Sequence, residues 1–269
     1  MKDSTQHKFH PVGRCIYCGA TGVNLTNEHI IAEGLGGVAL LPKATCDTCK
    51  DITSKIETVC LRGPLGNIRL GAEVKRKKKN KPRQLINYKI FVQNPDGSER
   101  EVDLSKLSKD ELPTYFYYPL PVNPPAILTG LPVDEQIEMR SRHFHKDTQA
   151  RLLALGHKGY IEAAYDERPY LSMLGKIALG FVVAQYGLDA FIPLVQDLAL
   201  GREEEPLRYI GRCYEGEEGY SDAMHEYMFE LIDEHFIAVR LRLFGTYGLP
   251  TYKIVVGIFK NPDLFDDQG

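Results

Sequence analysis

Apolar positions recur with two periods along this chain, and the switch between them divides it. Ile52, Ile56, Val59 and Cys60 fall at i, i+4, i+7 and i+8, which predicts a helix that Thr45 can cap and Gly63-Pro64 stops. Ahead of it, short extended pieces are predicted over residues 14–17, 28–31 and 38–41. The order is strand, loop, strand, helix. Helical spacing returns over 148–155 and 170–186, and a further helix is predicted over 189–200 after a glycine break. The C-terminal end alternates instead. HFIAVRLRLF puts Ile237, Val239, Leu241 and Leu243 on one face, TYKIVVGIF is apolar enough for a central strand, and HEYMFELI supplies a partner. QLINYKIFVQ, an NPDG turn and SEREVDL predict a hairpin over 84–104. Residues 112–132, with six prolines, read as a linker or irregular crossing. The pattern implies an α+β fold whose second half is an antiparallel sheet with helices packed on one face.

Composition is that of an ordinary globular protein, and 269 residues make more than one domain a fair expectation. Three segments are expected: a compact Gly- and Cys-rich module over 1–63 behind a loose arm of ten residues, a basic segment and hairpin over 64–111, and an acidic α+β domain over 112–269. Charge sharpens this division. Residues 1–60 balance six Lys/Arg against six Asp/Glu, residues 61–90 carry ten Lys/Arg against Glu73 alone, and the remainder of the net −3 leaves −12 for residues 91–269. The basic run Lys75, Arg76, Lys77, Lys78, Lys79, Lys81 and Arg83 suits phosphate contacts that position a nucleic acid without reading its sequence. There is no run of about 18 apolar residues and no apolar core at the N-terminus, so neither a membrane span nor a signal peptide is expected, and the expected location is cytoplasmic.

Four of the six cysteines form two C-x-x-C pairs, Cys15/Cys18 and Cys46/Cys49, twenty-seven residues apart. In a reducing compartment this spacing predicts a closed, tetrahedral structural zinc site rather than disulfides, with the second pair in the first turn of the helix. Cys60 and Cys213 read as buried small apolar residues. Inside the loop between the pairs, Glu28 offers a hard oxygen ligand suited to Mg²⁺ or Mn²⁺, and His29 an imidazole able to take a proton from water near neutral pH.

Taken in order, C-x-x-C, E-H-I-I, G-L-G-G and LLPKATCDTC resemble the HNH endonuclease family in its four-cysteine, zinc-bound form, over residues 12–63. The resemblance implies a ββα-metal fold, two strands and a helix around a catalytic divalent ion with zinc as a separate staple. It also implies that His29 is the general base, that Glu28 ligates the catalytic ion, and that the four cysteines hold the zinc. Where the family often has Asn or His after the last cysteine to complete the metal site, this chain has Lys50, an ammonium that repels a dication. Lys50, Thr53, Ser54 and Glu57 share a helical face, so Glu57 is the expected second ligand. Asp51, about 100° further round, is the alternative.

The reaction implied is metal-dependent hydrolysis of a DNA phosphodiester, leaving 5′-phosphate and 3′-hydroxyl ends, with Lys50 as a positive charge near the scissile phosphate. Double-stranded DNA is the expected partner, a two-fold dimer through the C-terminal half would suit cutting both strands, and bacterial defence is the role implied by the family's usual company. The competing reading is a non-catalytic zinc-binding module that recruits nucleic acid or protein, its catalytic metal site lost at Lys50. His143-Phe144-His145 reads as ordinary surface, and no phosphate-binding glycine loop or G-x-S-x-G elbow is present.

Overall fold

The computed structural model describes residues 7–63, 65–66, 68, 88–108, 111, 115–143, 148–156, 161–163, 166–214, 220–261 and 263. The basic run from Lys75 to Arg83 lies outside the described residues, as do Phe144 and His145.

Three strands open the chain: β1 (His7–Lys8), β2 (Leu25–His29) and β3 (Ala39–Cys46). They form a sheet in the order β1-β3-β2, with β2 and β3 antiparallel. Helix α1 (Asp47–Arg62) follows β3 without a loop. Cys46 rather than Thr45 is its N-cap, because Thr45 is still paired with Thr26 in the sheet. The turn between β2 and β3 depends on two glycines. Gly36 has φ +89°, and a Cβ on Gly37 would stand 2.0 Å from the carbonyl oxygen of Ile31.

Register within this hairpin is uneven. Thr26 faces Thr45 and Glu28 faces Leu41, so two steps on β2 span four on β3. Pro42 and Lys43 bulge out, and their carbonyls accept from the N–H groups of Val12 and Gly13, both at 3.0 Å. Ile16 N–H donates to Ala44 O at 2.8 Å, which lays residues 12–16 along β3. The expected extended piece at 14–17 is therefore a turn, closed by Gly19 N–H to Cys15 O and Cys15 N–H to Ala20 O.

The predicted hairpin is present as β4 (Tyr88–Gln93) and β5 (Glu99–Glu101), joined through Asn94 to Ser98 with Gly97 at φ +84°. The proline-rich stretch departs from expectation. It contains β6 (Tyr115–Pro121), with Phe116, Tyr118 and Leu120 buried, followed by the short helix α2 (Ala126–Thr129). Proline is compatible with a ribbon paired along one edge, and β6 pairs with β7 (Ile137–His143).

After α3 (Thr148–Ala154) and β8 (Ile161–Ala163), which pairs with β4, the chain enters α4 (Arg168–Tyr186). Both helices match the predicted periodicity. The helix expected over 189–200 is instead β9 (Phe191–Pro193) and a single turn, α5 (Gln196–Ala199). Pro193 cannot donate inside a helix, and Phe191–Pro193 pairs with Gly257–Phe259. Strands β10 (Ile210–Arg212), β11 (His225–Ile232), β12 (Phe236–Leu243) and β13 (Thr251–Phe259) complete an antiparallel sheet in the order β10-β13-β12-β11, with β9 on β13. Ile237, Val239, Leu241 and Leu243 are all buried, as their alternation predicts.

Helix α4 packs on β12, β13 and α1, and its residues from Tyr170 to Val183 are all buried. One apolar cluster includes Cys15, Ile16 and Ile30 of the first module, most of α4, and the inner face of the sheet. A Cβ on Gly180 would meet Ile30 Cγ2 at 3.1 Å, so glycine there lets α4 lie close against the end of β2. Among the described residues no helix is long and apolar enough to cross a membrane.

Candidate metal centre

The turn at residues 15–18 and the start of α1 bring Cys15, Cys18, Cys46 and Cys49 together, with their four sulfurs within 4.8 Å of one another. Tetrahedral zinc with Zn–S bonds of about 2.3 Å needs sulfurs about 3.8 Å apart. Cys18 and Cys46 stand at 3.7 Å. Cys15, Cys46 and Cys49 are buried and Cys18 is exposed. Burial pushes the Cys15 thiol up, but backbone N–H groups of Cys46, Cys18 and Tyr17 favour its thiolate and bring it down to about 7. Burial and the neighbouring sulfurs push Cys49 up, as four unneutralised thiolates would repel. The helix N-terminus adds a positive end beside Cys46 and Cys49. The donor set and spacing fit a structural zinc, with all four positions taken by protein.

A second cluster joins the same hairpin to α1 and α4. Glu28 on β2 and Glu57 on α1, the expected ligands of a catalytic ion, both meet Lys176 of α4. Lys176 Nζ is 2.7 Å from Glu28 Oε1 and 2.7 Å from Glu57 Oε1. It also donates to the carbonyl of His29 and, at 3.3 Å, to that of Ile30. Four oxygens thus surround one ammonium. The Lys176 side chain is 2% exposed, that of Glu28 8% and that of Glu57 21%. Burial opposes the charge on Lys176, but the two carboxylates outweigh it and raise its pKa above the ordinary lysine value.

Tyr17, between the first two cysteines, is buried beside this cluster. Desolvation, then the charges of Glu28 and Glu57, push its phenol well above the usual range, so it stays protonated. Among the described residues the Nε2 of His29 is a buried polar atom with no hydrogen-bond partner, and the Tyr17 hydroxyl lies close enough to Glu28 for a hydrogen bond to that carboxylate to help keep the phenol protonated. His29 ends β2 and gives the cluster its carbonyl. Lys50 and Asp51 are exposed in the first turns of α1, with Lys50 about two turns before Glu57. Thr53, on the face expected to carry Lys50, is buried, and its hydroxyl donates to Lys50 O at 3.2 Å.

Sequence reasoning missed Lys176 and Tyr17. Lys176 did leave a signal, since it is the only charged residue between Tyr170 and Tyr186, inside a helix that is apolar all round. A cation there has to find partners in the core. No family model, curated protein or solved structure matches this chain.

Proposed function

We propose that this protein is a zinc-stapled recruitment module for nucleic acid whose HNH-like centre carries no catalytic metal. The observation that supports this reading is the Lys176 ammonium between Glu28 and Glu57. A divalent ion held by those two carboxylates would share their oxygens with a lysine, and the repulsion between the cations in so dry a place is severe. The same burial keeps a DNA phosphate from Glu28. Zinc, held by four sulfurs and closed to substrate, supports the shape of the module and takes no chemical part. The net +9 over residues 61–90 supplies the attraction for a polyanion, and Lys75, Arg76, Lys77, Lys78, Lys79, Lys81 and Arg83 are its proposed phosphate contacts.

One observation favours hydrolysis instead. The Nε2 of His29 is buried with no hydrogen-bond partner among the described residues, which leaves it uncommitted for a water that enters with substrate.

A plasmid assay separates the two readings. Purified protein is incubated with supercoiled DNA under Mg²⁺, Mn²⁺ or EDTA beside His29→Ala, and the metal content is measured. The recruitment reading expects one zinc per chain, binding that weakens steeply with salt, and the same uncut plasmid in every lane. Nicking that needs Mg²⁺ or Mn²⁺ and disappears in His29→Ala would overturn it in favour of the endonuclease.

A further inference from the structure

The oxygens around Lys176 have a charge deficit that the lysine does not fill. Glu28 and Glu57 bring two negative charges and Lys176 one positive, so the buried cluster carries −1. A dication in place of the ammonium would bring it to zero. The donors are also of the right kind, two carboxylates and the two carbonyls of His29 and Ile30, all hard oxygens. Six-coordinate Mg²⁺ or Mn²⁺ would need two more ligands, and the partly exposed side of Glu57 admits water.

We propose that Glu28, Glu57 and the carbonyls of His29 and Ile30 form a divalent-cation cage whose resident ion is the Lys176 ammonium, and that removing that ammonium converts the cage into a Mg²⁺/Mn²⁺ site. The inference rests on the functional reading above, in which the lysine takes the metal's position in the wild-type protein. It extends that reading by naming the ion the cage accepts when the lysine's charge is gone. Three elements define the cage independently of Lys176. Glu28 is fixed by pairing of β2 with β3, Glu57 by α1, and the two carbonyls by the end of β2. Methionine at 176 keeps the apolar stem that packs in α4 and removes only the charge.

The test uses zinc-loaded full-length protein, with Mn²⁺ as the probe. Lys176→Met is expected to bind one Mn²⁺ per chain, seen as loss of the free-ion EPR signal. Its unfolding midpoint should climb with each tenfold rise in Mn²⁺, while the wild-type midpoint stays flat. Adding Glu28→Gln and Glu57→Gln to Lys176→Met should abolish both responses. A folded Lys176→Met that retains zinc and ignores Mn²⁺ overturns the cage. If Lys176→Met does not fold in the absence of Mn²⁺, refolding is read instead: recovery with Mn²⁺ upholds the proposal, and recovery in the triple variant alone overturns it. Mn²⁺ binding by wild type that Glu28→Gln and Glu57→Gln remove would overturn both the functional reading and the place of the Lys176 ammonium as the resident ion.

Discussion

Two cation sites share helix α1, and they are built in opposite ways. At its N-terminal end Cys46 and Cys49 join Cys15 and Cys18 in a sulfur cluster that has to import its ion. Further along, Glu57 joins Glu28 in an oxygen cluster whose ion is attached to the protein, at the end of a lysine side chain from α4. The sulfur site is made within 35 residues of chain, so a soft metal closes it locally. The oxygen site is completed from 119 positions away, by a side chain of α4. Donor type alone does not decide whether a carboxylate pair is a metal site. What decides it is which cation the surrounding fold places against the pair, and at what cost in desolvation.

The sulfur site is where the contrast breaks most sharply. Structural zinc contributes an apparent ~10–16 kcal/mol in small modules, as much as or more than the whole stability of an ordinary domain. Cys49→Ser, or chelation of wild type, is expected to remove the zinc and abolish cooperative unfolding of the first module. Because Cys15, Ile16 and Tyr17 belong to the same apolar cluster as α4, the loss should spread into the body. Metal analysis with calorimetry reads both effects. A chelated protein with an unchanged melting profile would show that the cysteines hold the fold without metal.

At the oxygen site the expected effect is smaller. Without Mg²⁺ or Mn²⁺, Lys176→Met leaves the buried Glu28 carboxylate facing the partly exposed Glu57 with no cation between them, which should cost about 3–5 kcal/mol. Glu28→Gln should cost less, since Lys176 keeps Glu57 and two carbonyls, and Glu57→Gln least, because Glu57 is the most exposed of the three. Urea denaturation at pH 7.5 gives the ranking. A neutral Lys176→Met would mean the lysine does not link module to body.

The two sites differ as much in legibility as in chemistry. Cys15, Cys18, Cys46 and Cys49 announce themselves because thiol spacing within short turns is a local property. Helices α1, α3 and α4 and strand β12 follow from periodicity for the same reason, and β13 with its partner β11 from apolar content. Glu28 and Glu57 were singled out as metal ligands through the resemblance and the helical face shared with Lys50, not as partners of a lysine. Lys176 was not legible, because it meets them through a tertiary contact that no local period encodes. The segment at 189–200 failed for a related reason. Its apolar content fits a helix, but Pro193 and the vacant edge of β13 decide for a strand. YFYYPLP misled similarly, since prolines that rule out a central strand permit an edge.

A neutral contact ties the turn between β2 and β3 to the C-terminal sheet, and it gives the smallest of these effects. His225 on β11 bridges to the turn that joins β2 and β3. Its Nε2 is 2.9 Å from Leu35 O, and its Nδ1 accepts from Phe244 N–H at 3.3 Å. Accepting at Nδ1 fixes the proton on Nε2, so the neutral tautomer satisfies both bonds, whereas an imidazolium would set two donors against each other at Nδ1. Burial lowers the pKa of His225, only partly offset by its bond to Leu35 O. A folded pKa below the unfolded value of about 6.5 means the bridge contributes fully above that pH and is lost as pH falls toward the folded value. His225→Gln keeps an amide donor for Leu35 and cannot titrate. Between pH 7.5 and 5.5 the wild type should therefore lose stability relative to His225→Gln, read as diverging urea midpoints. Parallel midpoints would mean the ring is not what holds the turn. The zinc cluster and the lysine cage would then be left as the sites that tie this hairpin down.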